Sequence, residues 1–282
     1  MTPEPTPSTY RFYTCLSVAG SDCCGGAGIQ ADLKTFSALG VYGMTAVTAL
    51  TAQNTCGVQA VFSADEACLR AQLRSVFSDV QPDAVKVGMV YGRGQVEIIA
   101  DALASARPRW VVYDPVMVSS SGTRLMADDA LQAVVGQLLP LCSLVTPNLP
   151  EAEVLCGHSI ATPDERLRAA REIAALGPQA VLLKGGHWPG AAAEDLLWDA
   201  RKEEASLYSA PRVDTHNAHG TGCTLSSAIA ACLARGENVQ QAVGEGKRFL
   251  TEALRAAAGL RMGKGENGPM NHFFAPQPLI KR

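Results

Sequence analysis

Four-residue runs that are apolar at every position, such as Trp110–Tyr113 and Ala180–Leu183, recur between segments of helical period. A strand that is apolar throughout, rather than at alternate positions, is buried on both faces. Strands of that kind alternating with helices require right-handed crossovers, which build a mostly parallel sheet covered on both sides. The expected architecture is therefore α/β in three layers, helices flanking a central sheet. Strands are predicted at Tyr13–Ala19, Met44–Leu50, Gln59–Phe62, Ala84–Val87, Trp110–Tyr113, Ser143–Val145 and Ala180–Leu183, with short polar strands within Asp195–Ser209. Helices are predicted at Ala27–Leu39, Asp65–Phe77, Val96–Ala104, Asp128–Leu139, from Glu151 onward, Pro163–Leu176, from the Gly220 turn to Leu233, and Val239–Ala258.

No repeat, linker or shift in composition divides the chain. Its 282 residues are 47% hydrophobic, enough for one full core, so residues 13–282 are expected to form a single domain behind a frayed, proline-rich tail at 1–12. A net charge of -3 without a basic block gives no footprint for nucleic acid. No run approaches the roughly 18 apolar residues of a membrane span, and the N-terminus has no signal-peptide pattern. Nine cysteines, with no Cys-x-x-Cys pair, read as reduced thiols. Together these point to a cytoplasmic protein that binds neither nucleic acid nor membrane.

In an open α/β sheet, ligands bind beyond the carboxyl ends of the strands. Gly20-Ser21-Asp22, Gln53-Asn54, Gly88-Met89, Asp114, Asn148–Glu151, Lys184-Gly185-Gly186 and His219–Cys223 all follow predicted strands or open the helix after the last one. Acids, an amide, a lysine and glycine turns on one rim suit metal-assisted transfer of a phosphate group. Gly220-Thr221-Gly222-Cys223 could turn successive amides into an anion hole at a helix start, or be an ordinary capped glycine loop. Cys223 at that start would have its thiol pKa lowered from about 8.5 and could serve as a base; the alternative is a small packing residue. Lys184 is either a phosphate contact or a snorkelling surface lysine. Asp114, Asn148 and Glu151 suit Mg²⁺ directly or through water, although Asn148 also reads as a plain helix cap.

Two rival phosphate motifs fail. No Gly-x-x-x-x-Gly-Lys-Ser/Thr is present. Gly26-Ala27-Gly28-Ile29-Gln30-Ala31 fits a dinucleotide-binding turn, but the next acid after Asp32 is Asp65, not one about 20 residues on.

Taken together, Gly25–Thr35, Ala52-Gln53-Asn54-Thr55, Asp114–Met117, Thr146–Ala152, Lys184–His187 and His219–Ser226 closely resemble the hydroxymethylpyrimidine/phosphomethylpyrimidine kinases of the ribokinase-like superfamily. The resemblance runs from about Tyr13 to Phe274. It implies a ribokinase-like fold, ATP and Mg²⁺, and phosphorylation of 4-amino-5-hydroxymethyl-2-methylpyrimidine and then of its monophosphate, with pyridoxal/pyridoxine kinase as the nearest alternative in the superfamily. It further implies that Gln53 bonds the aminopyrimidine, that Asp32 meets the hydroxymethyl, and that Gly20, Met89 and Val116 wall the ring. Gly220–Cys223 would form the anion hole, Cys223 standing where most of the superfamily has an aspartate base. Lys184, Asn148 and Thr221 would approach the nucleotide, Asp114 and Glu151 the metal, and the protein would be a homodimer. Lys264, in a glycine-rich stretch near the C-terminus, is a further expected ATP contact. Asp22-Cys23-Cys24 departs from the Asp-Pro-Ser that is usual in the family.

Overall fold

The computed structural model describes residues 11–118, 125–127, 129–186, 188 and 190–282. Among these residues nine strands form one sheet: β1 (Thr14–Asp22), β2 (Tyr42–Asn54), β3 (Gly57–Ser63), β4 (Ala84–Val87), β5 (Trp110–Tyr113), β6 (Leu144–Val145), β7 (Ala180–Leu183), β8 (Ala192–Asp199) and β9 (Glu204–Pro211). Their order is β3-β2-β1-β4-β5-β6-β7-β8-β9. From β2 to β7 every neighbouring pair is parallel, while β3 and the β8–β9 pair are antiparallel additions at the two edges. Helices are α1 (Gly28–Ala38), α2 (Glu66–Asp79), α3 (Arg93–Ala106), α4 (Ala130–Ala133), α5 (Leu149–Cys156), α6 (Pro163–Ala175), α7 (Thr221–Ala234) and α8 (Val239–Arg255).

The two-fold period of the strands sorts their side chains between two cores. Leu16, Val18, Val85, Val87, Val111, Tyr113, Val145, Val181 and Leu183 join one, with residues of α2 to α6. Cys15, Ala84, Val112, Leu144, Ala180 and Leu182 join the other, with residues of α1, α7 and α8. The same parity carries onward past the strand ends. Lys86, Asp114, Thr146 and Lys184 therefore fall on the α7 side of the sheet, where the site forms.

The strands β4, β5 and β7, buried but for Trp110, match their expected bounds, whereas β8 is less polar than expected, with Asp195–Asp199 buried. The helix expected over 128–139 shortens to α4, followed by a π turn at Val134–Leu138 and a tighter turn at Leu139–Leu141; residue 128 lies outside the described residues. Of the expected tail, residues 1–10 also lie outside them. Arg11 and Phe12 are not frayed: Phe12 bridges Lys281, and Arg11 bonds Asp83 at 2.8 Å. All nine cysteines are free thiols, and Cys68 is exposed on α2. Among the described residues no helix is long and apolar enough to cross a membrane.

Candidate active site

A cavity of about 830 Å³ opens at the carboxyl rim of the parallel strands. At its inner end stands Lys184, just past β7. Its Nζ donates to Asp114 Oδ1 at 2.6 Å and lies 3.8 Å from Glu151 Oε2. Asp114, just past β5, also accepts from Thr146 Oγ1 at 3.1 Å. The two carboxylates raise the Lys184 pKa against the opposing effect of burial, so the ammonium stays charged.

Asn148 and Glu151 open α5 with a reciprocal cap: Glu151 N–H donates to Asn148 Oδ1 at 2.9 Å, and Asn148 N–H to Glu151 Oε2 at 2.8 Å. The plain cap is thus real, and both residues still line the cavity. Burial pushes the Glu151 carboxyl up to about 7, with Lys184 opposing the rise and Asp114 adding to it. A nearly buried carboxyl whose burial outweighs its lysine, sharing that lysine with a second carboxylate, is an oxygen-donor pair that fits a hard divalent cation.

Opposite them α7 begins. Gly220 adopts φ +84°, and no side chain caps the helix. The first-turn amides of Gly222 and Cys223 have no intrahelical partner and are available to an anion. A Cβ on Gly222 would stand 3.2 Å from both Asp114 Oδ2 and Lys184 Nζ, so any side chain there would press on the charged pair. A Cβ on Gly220 would strike the Gly26 carbonyl at 2.0 Å, because the two glycine loops touch backbone to backbone. The first loop is organised by Asp22. Its carboxylate accepts from the amides of Cys24, Gly26 and Ala27 at 2.7 to 2.9 Å and pairs with His219 Nε2 at 3.0 Å. Burial would raise its pKa, but His219 and these amides outweigh it and hold Asp22 at about 2.

Cys223 borders the cavity, but its thiol departs from expectation. Burial pushes it up to about 11, and Lys86 and the Gly28 amide only partly offset this. A helix start lowers a thiol pKa where water or cations can share the charge; here desolvation wins.

At the other end Gln53 lies near the tip of the β2–β3 hairpin. Its backbone bonds the Cys23 thiol, at 3.1 Å through its carbonyl and 3.4 Å through its N–H. Among the described residues no group bonds its side-chain amide, which lines the cavity. Gly20, Met89 and Val116 line it too. A Cβ on Gly20 would come within 3.0 Å of Met89 Sδ, so the glycine makes room for the thioether.

Two expected site residues are elsewhere. Asp32 does not line the cavity: it is fully buried behind it, bonded to Lys86 Nζ at 2.9 Å, Ser17 at 2.5 Å and Ser227 at 2.7 Å. Lys264 is exposed and does not line the cavity, while Gly263 and Gly265 on either side pack onto Thr55 of the hairpin. Conversely, Lys247 and Asp195 carry no motif that marks a role, yet they pair at 2.7 Å in the cavity wall. Asp195 also accepts from Gly185 N–H at 2.7 Å and so fixes the turn after Lys184. Their separation of 52 residues left no local signal. Val213, Leu250 and Leu254 supply apolar wall nearby. Among the described residues one other cluster of donor atoms, Cys156, His158 and Glu172, lies off the cavity, with Glu172 taken up by His158 and Arg168.

A glycine-started, uncapped helix facing a lysine and two carboxylates across the carboxyl rim defines a small-molecule kinase of the ribokinase-like fold. Comparison with known proteins narrows the class. The phosphomethylpyrimidine kinase family model matches residues 22–271. The hydroxymethylpyrimidine/phosphomethylpyrimidine kinase of Rhizobium meliloti is 51% identical over 259 residues, 92% of this chain and 96% of the relative. The crystal structure of phosphomethylpyrimidine kinase from Clostridium difficile superposes with a TM-score of 0.76 at 44% identity, covering 86% of this chain and 99% of that one. Pyridoxal kinase from Staphylococcus aureus, in complex with AMP-PCP and pyridoxal, gives 0.84 at 32% identity, covering 93% and 94%. The chain belongs to the phosphomethylpyrimidine kinase family.

Proposed function

We propose that the protein phosphorylates the hydroxymethyl group of 4-amino-5-hydroxymethyl-2-methylpyrimidine with ATP, and then its monophosphate, in thiamine synthesis. The observation that carries this is that one cavity holds both the unpartnered Gln53 amide and the Gly220–Cys223 turn. Gln53 offers a donor and an acceptor to an aminopyrimidine edge, and Met89 and Val116 give the ring apolar contact.

Phosphoryl transfer has a loose transition state, so positioning and charge neutralisation matter more than proton removal. Lys184 remains an ammonium and offsets charge on the phosphate in flight. The Gly222 and Cys223 amides, fixed before the substrate arrives, do the same without reorganising. Asp114 and Glu151 would hold Mg²⁺, which supplies further neutralisation of the phosphates. Thr221 and Asn148 border the same space and are assigned to the nucleotide. Burial keeps Cys223 a thiol, so as a base it takes the hydroxyl proton only as the new bond forms. That role contributes on the order of 10²–10⁴-fold. A homodimer in the cytoplasm completes this reading.

ADP release measured with the hydroxymethylpyrimidine, its monophosphate, pyridoxine and ribose tests the assignment. Turnover on the two pyrimidines above that on pyridoxine is expected; pyridoxine as the best substrate would replace the reading with a pyridoxal kinase. Cys223→Ala is expected to lose about 10²-fold or more in kcat, and wild-type turnover would remove the base role.

A further inference from the structure

The charged pair behind the cavity has no place in the chemistry above, yet it links the two helices whose first turns open at the site. Lys86 sits in β4, directly across from Ser17 of β1, and neither it nor Asp32 has any exposed side-chain surface. Asp32 lies on α1, one turn after Gly28. Ser227, which donates to it, lies on α7, one turn after Cys223. One carboxylate therefore ties α1, α7, β1 and β4 together immediately below the place where the two helices begin. Above it the glycine loops meet backbone to backbone, and Asp22 with His219 bridges them at the rim. The packing leaves no slack: a Cβ on Gly88 would come within 2.7 Å of Lys86 Nζ.

A buried ion pair is a poor source of stability, since desolvation offsets its attraction and apolar replacements of similar volume often do as well. Its geometry, however, is hard to deform. We propose that Lys86 and Asp32 are positioning residues for phosphoryl transfer, a sealed charge pair that holds the first turns of α1 and α7 face to face so that the Gly222 and Cys223 amides keep their aim at the phosphate. This deepens the kinase reading and rests on it. Lys86 also offsets part of the rise in the Cys223 pKa, which is consistent with its place beneath the thiol.

The test separates positioning from folding. Lys86→Met alone strands a buried carboxylate and is expected to lower the melting temperature by about 10 °C. The double variant Lys86→Met with Asp32→Asn removes both charges, while the amide still serves the Ser17 and Ser227 hydroxyls. It is expected to recover most of that loss, yet to keep a kcat about 10²-fold below wild type with KM for ATP and pyrimidine little changed. Ser227→Ala, which cuts only the link to α7, should lower kcat with KM unchanged and the fold intact. Wild-type kcat in either variant overturns the proposal, because the pair would then serve folding alone. Failure of the wild-type protein to phosphorylate the pyrimidine would instead overturn the kinase reading, so the two failures are distinct.

Discussion

Two lysine–aspartate pairs stand under the same helix, and they differ in what can reach them. Lys184 and Asp114 meet at 2.6 Å beside the cavity, with 13% of the lysine side chain exposed; Lys86 and Asp32 meet at 2.9 Å with no exposure at all. The first pair can exchange partners, since an arriving phosphate can take the ammonium while a cation takes the carboxylate. The second can exchange nothing and acts only by staying where it is. The same two residue types thus bind ligand in one place and fix geometry in the other, and access to the cavity decides which.

The most severe way to probe this contrast is to break the sealed pair. Lys86→Met is expected to lower unfolding free energy in urea by roughly 3–5 kcal/mol, because the carboxylate left behind has neither water nor counter-charge. Lys184→Met should cost less stability, since its carboxylates face the cavity. Its kcat should nevertheless fall by about 10²–10³-fold, seen as ADP release. Equal losses of stability in the two variants would erase the distinction.

Asp22 gives a gentler measure. Its carboxyl is depressed in the folded protein, so its stabilisation is present above the ordinary carboxylate range and lost as pH falls from about 4 toward 2. Asp22→Asn should be less stable than wild type by about 2 kcal/mol near neutral pH, with the two curves converging in acid. Smallest of all, Cys23→Ala removes an exposed thiol from the Gln53 backbone. It should change stability by no more than about 1 kcal/mol and leave kcat close to wild type.

The sheet was legible because the apolar strands announce themselves, and the rim was legible because ligand groups follow strand ends. Gln53, Met89, Asp114, Lys184 and Cys223 do converge on one cavity. Burial was harder to read. Asp32 was assigned to the substrate by resemblance alone, and the groups that enclose it lie 15, 54 and 195 residues away. Cys223 was correctly placed at a helix start and given the wrong direction of shift, since a linear motif does not show what covers a thiol. One signal went unused: Lys86 interrupts the otherwise apolar Ala84–Val87, at the parity that faces α7. A lysine in a strand buried on both faces requires an internal carboxylate.

The contact between Gly26 and Gly220 sets limits on redesign. Each loop occupies the volume in which the other would need a side chain, so neither can be altered without re-registering both. Efforts to make this protein accept a different alcohol have room at the Gln53 hairpin, whose tip is partly exposed. The glycine junction is best inherited whole.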